Sequence, residues 1–363
     1  MRPRLSRLAA AFVLSAVSSA SLAQVRATLP GSIVESASIG ASERQQITDF
    51  VTALSKEAIG ADAAAANRAR AALVAPIREH RASVAFRQAF AAVALDTVRQ
   101  LTGSNDPGAR IAGLRIAGAL ATADTTALVT DALSDSDEGV RVYAASEARR
   151  VFETTAANGP AMTESQATAL VNALGSALPN ADELFRQSII RALGAAAQMD
   201  LRELAGTRQI ALTSLCNSVA ALVRGMDRSD LTTHRDTVLL ATTAATRALS
   251  QVGTTVPDAA AKAGAELGGE ILAVILDRDV KGLNSPDKAE DVRLTRAAES
   301  LVYFARRRAV ENAKGDAASV PQTDLAGLLE KGDRSFRREL LALIGPGSSM
   351  LAQFKLPDNR FVK

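Results

Sequence analysis

Residues able to move protons or attack a carbonyl are scarce in this chain. It has two histidines, His80 and His234, and one cysteine, Cys216. A two-histidine metal site, or a Ser-His or Cys-His dyad, would require one of them to meet partners from distant segments. His234 stands in an otherwise apolar column of a recurring pattern, where a hydrogen-bonded, half-buried imidazole is expected. His234-Arg235-Asp236 spells the protein-kinase catalytic triplet, but the downstream Asn and the DFG element are missing. Ser285-Pro286-Asp287-Lys288 has the SxxK spacing of penicillin-recognising enzymes, a chemistry that needs the serine at a helix start with SDN-like and KTG-like companions. Neither companion occurs, so the segment reads as a proline-containing turn before a helix at Asp291-Val292-Arg293. There is no GxxxxGK[ST] loop, HExxH helix, GxSxG elbow or paired-cysteine spacing, and Gly264 to Gly269, GAELGG, lacks the dinucleotide fingerprint's spacing. No catalytic residue, metal or cofactor is therefore expected. The lone thiol cannot close an intramolecular disulfide, and its apolar flanks predict a buried helix position, with an intermolecular link as the alternative.

What remains is charge. Arg306-Arg307-Arg308 ends one predicted helix, and Arg334, Arg337 and Arg338 open the next. Stacked in order, the two clusters would face each other across one groove able to take an anion. The interleaved acids Glu311, Asp333 and Glu339 and the absence of flanking aromatics favour a solvated face instead.

The elements that would position these residues are helices. Asp106 to Phe152 states one pattern twice: an acid opens a helix, an arginine follows a turn later, and an Ala/Leu/Val run fills the rest. Aligning on the arginine gives Arg110, Arg141, Arg186, Arg235, Arg293 and Arg337, each expected near a helix start, with an apolar residue four positions on. Second helices are predicted over 125–133, 163–178, 201–226, 258–276 and 324–329, punctuated by Gly, Pro and Asn. Before them, Ser42 is expected to cap a helix running to Ile59, with two further helices over 61–80 and 82–102. No convincing strand is present. Asp106 and Asp137 fit N-caps, and the arginines fit a structural ladder reaching the acid or loop carbonyls of the adjacent unit. An anion-binding stripe is the alternative.

In Asp106, Ala109-Arg110 and Ala112 to Leu114, and again in Asp137, Val140-Arg141 and Ala144-Ala145, the chain resembles HEAT repeats of the short bacterial kind. Phe185-Arg186 and Val292-Arg293 match more loosely. The resemblance implies an all-α, right-handed α-solenoid of antiparallel helix pairs, HEAT-like or armadillo-type, with irregular repeat lengths. It also implies a scaffold that holds partners on a concave face lined by second helices. Some short bacterial repeats occur in bilin lyases, but no catalytic residue of those proteins is matched.

Residues 1–23 read as a secretory signal peptide: Arg2, Arg4 and Arg7, an apolar run from Leu8 to Val17, and a small-x-small site with cleavage after Ala23. The whole chain carries 42 Lys+Arg against 39 Asp+Glu; these 23 residues hold three of the arginines and no acid, so the remainder is formally neutral. Basicity thus gives no reason to expect a nucleic-acid partner. No later run is apolar enough for a membrane span. With 47% apolar residues, ten Phe, two Tyr and no Trp, the core must be built from Ala, Leu, Val and Ile, which suits closely approaching helices. The expected organisation is an extended lead-in over 24–40, a solenoid over 41–345 and a C-terminal tail or cap over 346–363. The function expected is that of a non-enzymatic, secreted or periplasmic scaffold binding another protein of the envelope or extracellular space. The alternatives are recognition of an anionic glycan, lipid or phosphate-bearing ligand through the C-terminal arginines, and service as a lyase-like accessory factor to an enzyme.

Overall fold

The computed structural model describes residues 28–79, 81–226, 228–277 and 285–362. The expected signal peptide and His80 lie outside the described residues. The fold is all-α: among the described residues no strand forms, and one isolated bridge joins Thr122 to Ala161.

The expected lead-in already holds a short helix, α1 (Gly31–Val34), whose Ile33 and Val34 are buried. Three helices follow: α2 (Ala41–Ala58), α3 (Ala63–Glu79) and α4 (Val84–Thr102). Gly40, not Ser42, is the N-cap of α2, because the Glu43 carboxylate reaches back to accept from the Gly40 N–H at 2.7 Å. Phe50, Phe86 and Phe90 pack as tilted ring pairs and fill the space between α2 and α4.

Two rows of helices then alternate along the chain. One contains α5 (Pro107–Leu120), α7 (Glu138–Asn158), α9 (Glu183–Ala197), α12 (Arg235–Ser250) and α14 (Ser285–Asn312), each packed on the next. The other contains α6 (Ala123–Ala132), α8 (Glu164–Ala177), α10 (Ala205–Arg224) and α13 (Asp258–Asp277), again each on the next. A short α11 (Arg228–Thr233) leads into α12. The core runs between the rows, where Leu114, Ile116, Ala144, Val151, Ile189, Leu193, Val219, Val238 and Ile271 are buried. Each large aliphatic side chain so buried contributes about 1.5–3 kcal/mol.

Small residues set the spacing within the first row. A Cβ placed on Gly118 of α5 would meet the Glu147 side chain of α7 at 2.5 Å, and one on Gly194 of α9 would lie 2.9 Å from the Ala244 Cβ of α12. Neither gap can admit a methyl group without the helices moving apart.

Two expectations about the C-terminal third are corrected. α14 starts at Ser285 and not after a turn near Asp291, so Arg293 sits well inside a helix. Proline is tolerated in a first helical turn because the N–H it lacks would have no partner there. After α15 (Leu325–Lys331), α16 (Phe336–Ile344) packs on α13 and α15, so Arg337 does not extend the first row. α17 (Ser349–Phe354) and the tail then lie against α13 and α14. Arg360 pairs with Glu266 at 3.0 Å and with Glu270, and the Phe361 ring covers Gly269.

Candidate functional site

Four arginines of the repeated pattern, Arg110, Arg141, Arg186 and Arg235, line the N-terminal edge of the first row. Asp106, Asp137 and Asp182 are the N-caps of α5, α7 and α9, each carboxylate accepting from backbone N–H groups of the first turn. From the same position in each helix, Arg110, Arg141 and Arg186 turn back onto the preceding loop. Arg110 donates to the Ser104 carbonyl at 2.9 Å, Arg141 to Asp135 at 2.8 Å, and Arg186 to Ala181.

Links to the next helix follow from those positions. The Arg110 guanidinium meets the Asp135 carboxylate at 3.0 Å, and Arg141 lies over the Phe185 ring at 5.9 Å. Glu183 accepts from Thr237 and contacts His234 Nδ1 at 2.8 Å. Arg235 reaches Asp287 at 3.5 Å. Burial pushes the Glu183 carboxyl upward, but hydrogen bonds from Thr237, Gln187 and His234 outweigh it and hold the group below its ordinary range. Arg293 pairs within its own helix with Glu290 at 2.8 Å, and Arg337 is exposed.

The C-terminal arginines do not converge. Arg306 is buried and donates to Gln353 at 3.1 Å and to Ser349 at 3.0 Å, fastening α17 to α14. Arg308 donates to the Leu249 carbonyl at 2.6 Å and to that of Gln251, closing the C-terminal end of α12. Arg307 lies over the Tyr303 ring at 5.7 Å. Arg334 and Arg338 are exposed on the α15–α16 side, Arg338 pairing with Glu339 at 2.8 Å.

A second set of arginines, not expected from the sequence, lies at the opposite edge. Arg87 of α4 is fully buried and donates to the carbonyls of Leu120 at 3.2 Å, Ala121 at 3.4 Å and Gly159. It therefore joins the C-terminal ends of α5 and α7. Desolvation lowers its pKa to about 10, so it remains a cation at neutral pH. Arg208 of α10 likewise donates to the Thr255 carbonyl beyond α12.

Also missed is a groove of roughly 600 Å³ across the outer faces of α7, α9 and α12. Its floor is Ala156, Ala195, Leu240 and Ala244 over the buried Phe152 and Met199, and its rim carries Arg149, Arg191 and Arg247. Arg149 pairs with Glu153 at 3.2 Å. Arg191 touches only the neutral Gln187 at 3.4 Å, and among the described residues no carboxylate pairs with Arg191 or Arg247, both exposed. The groove floor is open because Gly194 and Ala244 bring α9 and α12 close without side chains to fill the surface above. A helical-phase signal was available: the three arginines follow Arg141, Arg186 and Arg235 by eight, five and twelve residues. At about 100° per residue, these offsets fall within about 60° of one another.

Among the described residues no group of three or more His, Cys, Asp and Glu is placed to hold a metal, and no helix is long and apolar enough to cross a membrane. Cys216 is fully buried in α10, where burial pushes its thiol up to about 12 and leaves no thiolate to react or to reach another chain. No family model matches the chain, and a search of curated proteins finds no match.

Proposed function

We propose that this is an exported, non-enzymatic scaffold of the HEAT or armadillo kind, a right-handed α-solenoid of antiparallel helix pairs that binds another protein. The observation that carries this reading is the pair of helix rows, α5-α7-α9-α12-α14 and α6-α8-α10-α13, in which each helix packs on the next of its own row. Such stacking buries one face of every pair and leaves long outer faces for partners. A polar-rimmed groove across α7, α9 and α12 supplies the docking site, which places it on the first row and not on the second-helix face that the HEAT resemblance implies. The side chains around His234 support a positional role for the imidazole, since its Nδ1 contact is a carboxylate that also accepts from Thr237 and Gln187.

The test is retention. The purified protein, immobilised and washed with envelope extract, is expected to hold a defined partner at stoichiometric yield that re-forms the complex from purified components. A protein that retains nothing, while folded by circular dichroism, is no scaffold of this kind. An experimental structure with left-handed stacking would remove the HEAT-like part of the reading alone.

A further inference from the structure

We propose that the groove across α7, α9 and α12 docks an acidic segment of the partner protein in which carboxylates alternate with apolar side chains. The inference rests on the scaffold reading and names the chemistry of the partner at its site. The rim holds three arginines and one carboxylate, Glu153, which is already paired with Arg149. Arg191 and Arg247 therefore present guanidinium groups with no anionic partner among the described residues, and guanidinium donors match carboxylates in pairs.

Ala156, Ala195, Leu240 and Ala244 form a shallow apolar strip between the arginines, laid over the buried Phe152 and Met199. A small inorganic anion would leave that strip wet, whereas a segment with apolar side chains between its acids covers it.

Neighbouring packed helices lie about 8–10 Å apart, so the rim arginines come from helices spread over about 20 Å. One phosphate cannot bridge that distance. An extended chain covers about 20 Å in six residues; with its apolar side chains turned down onto the floor, its carboxylates stand on the opposite face, at the level of the rim, where the long arginine side chains can reach them. Nucleic acid fits less well, since the groove presents no exposed aromatic ring on which bases would stack.

The experiment uses the full chain and a fluorescein-labelled peptide of alternating glutamate and leucine, read by fluorescence anisotropy. A lysine–leucine peptide, a glutamate–glycine peptide and inorganic phosphate serve as comparators. The glutamate–leucine peptide is expected to bind, with affinity falling roughly tenfold or more as salt rises from about 0.05 M to about 0.5 M. Arg191→Glu with Arg247→Glu is expected to weaken it at least tenfold while leaving the thermal melt unchanged, both side chains being exposed. Leu240→Gln is a milder variant that tests the floor and is expected to weaken the leucine-containing peptide only.

Equal binding of the lysine–leucine peptide, or unchanged affinity in the double arginine variant, overturns the proposal. So does displacement by inorganic phosphate together with equal binding of the glutamate–glycine peptide, which would make the groove a simple anion site. The scaffold reading fails separately. An envelope partner captured equally by wild type and by the double variant retains the scaffold and sinks the groove, whereas no capture by either sinks the scaffold.

Discussion

The two edges of the first helix row solve the same problem with the same residue and opposite geometry. At the N-terminal edge, Arg110, Arg141 and Arg186 fold back onto loop carbonyls beside their own helix start, and from partly exposed positions Arg110 and Arg141 also reach Asp135 and Phe185 of the next unit. At the C-terminal edge, Arg87, Arg208 and Arg308 come from other helices and donate to carbonyls at or beyond the helix ends. Helix C-termini expose acceptors, so a cation satisfies them directly. Helix N-termini expose donors, so there the acid caps and the arginine is a secondary tie. The difference predicts that the C-terminal edge carries more of the stability and that the N-terminal edge responds to pH.

The largest effect is expected at Arg87. Arg87→Ala removes charged donors from the ends of α5 and α7 inside the core and should cost about 3 kcal/mol or more, read as a lowered midpoint in urea. Arg87→Lys should not restore it, because a single ammonium cannot span the separate carbonyls that the fork reaches. If Arg110→Ala costs as much as Arg87→Ala, the contrast between the edges is wrong.

Arg110→Ala is expected to cost about 1–2 kcal/mol, since its contact with Asp135 is largely shielded from solvent, and Arg141→Ala about 0.5–1 kcal/mol, its main tie to the next helix being a ring contact. The same urea titrations rank the three.

The smallest effect sharpens the comparison through pH. Glu183 has a folded pKa held below its ordinary 4.5. Its stabilising contribution is therefore complete above 4.5 and disappears as pH falls through the lower folded value. The stability gap between wild type and Glu183→Gln should be constant near neutrality and close below pH 4.5. Over the same acid range the gap for Arg87→Ala should show no such closing, because that group stays charged.

Much of this architecture was legible in the sequence because its signals are local. An Asp before a helix and an Arg one turn later mark α5, α7 and α9 wherever they occur. The start of α14 was misplaced because Ser-Pro serves a turn and a helix start equally well, and only packing against α12 and α13 decides. The groove and the C-terminal-edge arginines were not legible for a different reason. Arg149, Arg191 and Arg247 share a face only once the register of three neighbouring helices is fixed, and Arg87 meets Gly159 across 72 positions of chain. The apparent C-terminal anion cluster reversed that error: two positions apart in sequence, Arg306 and Arg308 point into different helix junctions.

The close approach of α9 to α12 at Gly194 gives the proposed docking face an adjustable width. A single methyl group at that position lies beneath the groove and touches neither its arginines nor their charges. Gly194→Ala would have to push Ala244 aside from a 2.9 Å approach, spreading the two helices by a few tenths of an ångström. Shape and charge of the groove can thus be varied independently, and a graded series of small residues at 194 would act as a dial on selectivity among ligands of equal charge but different bulk.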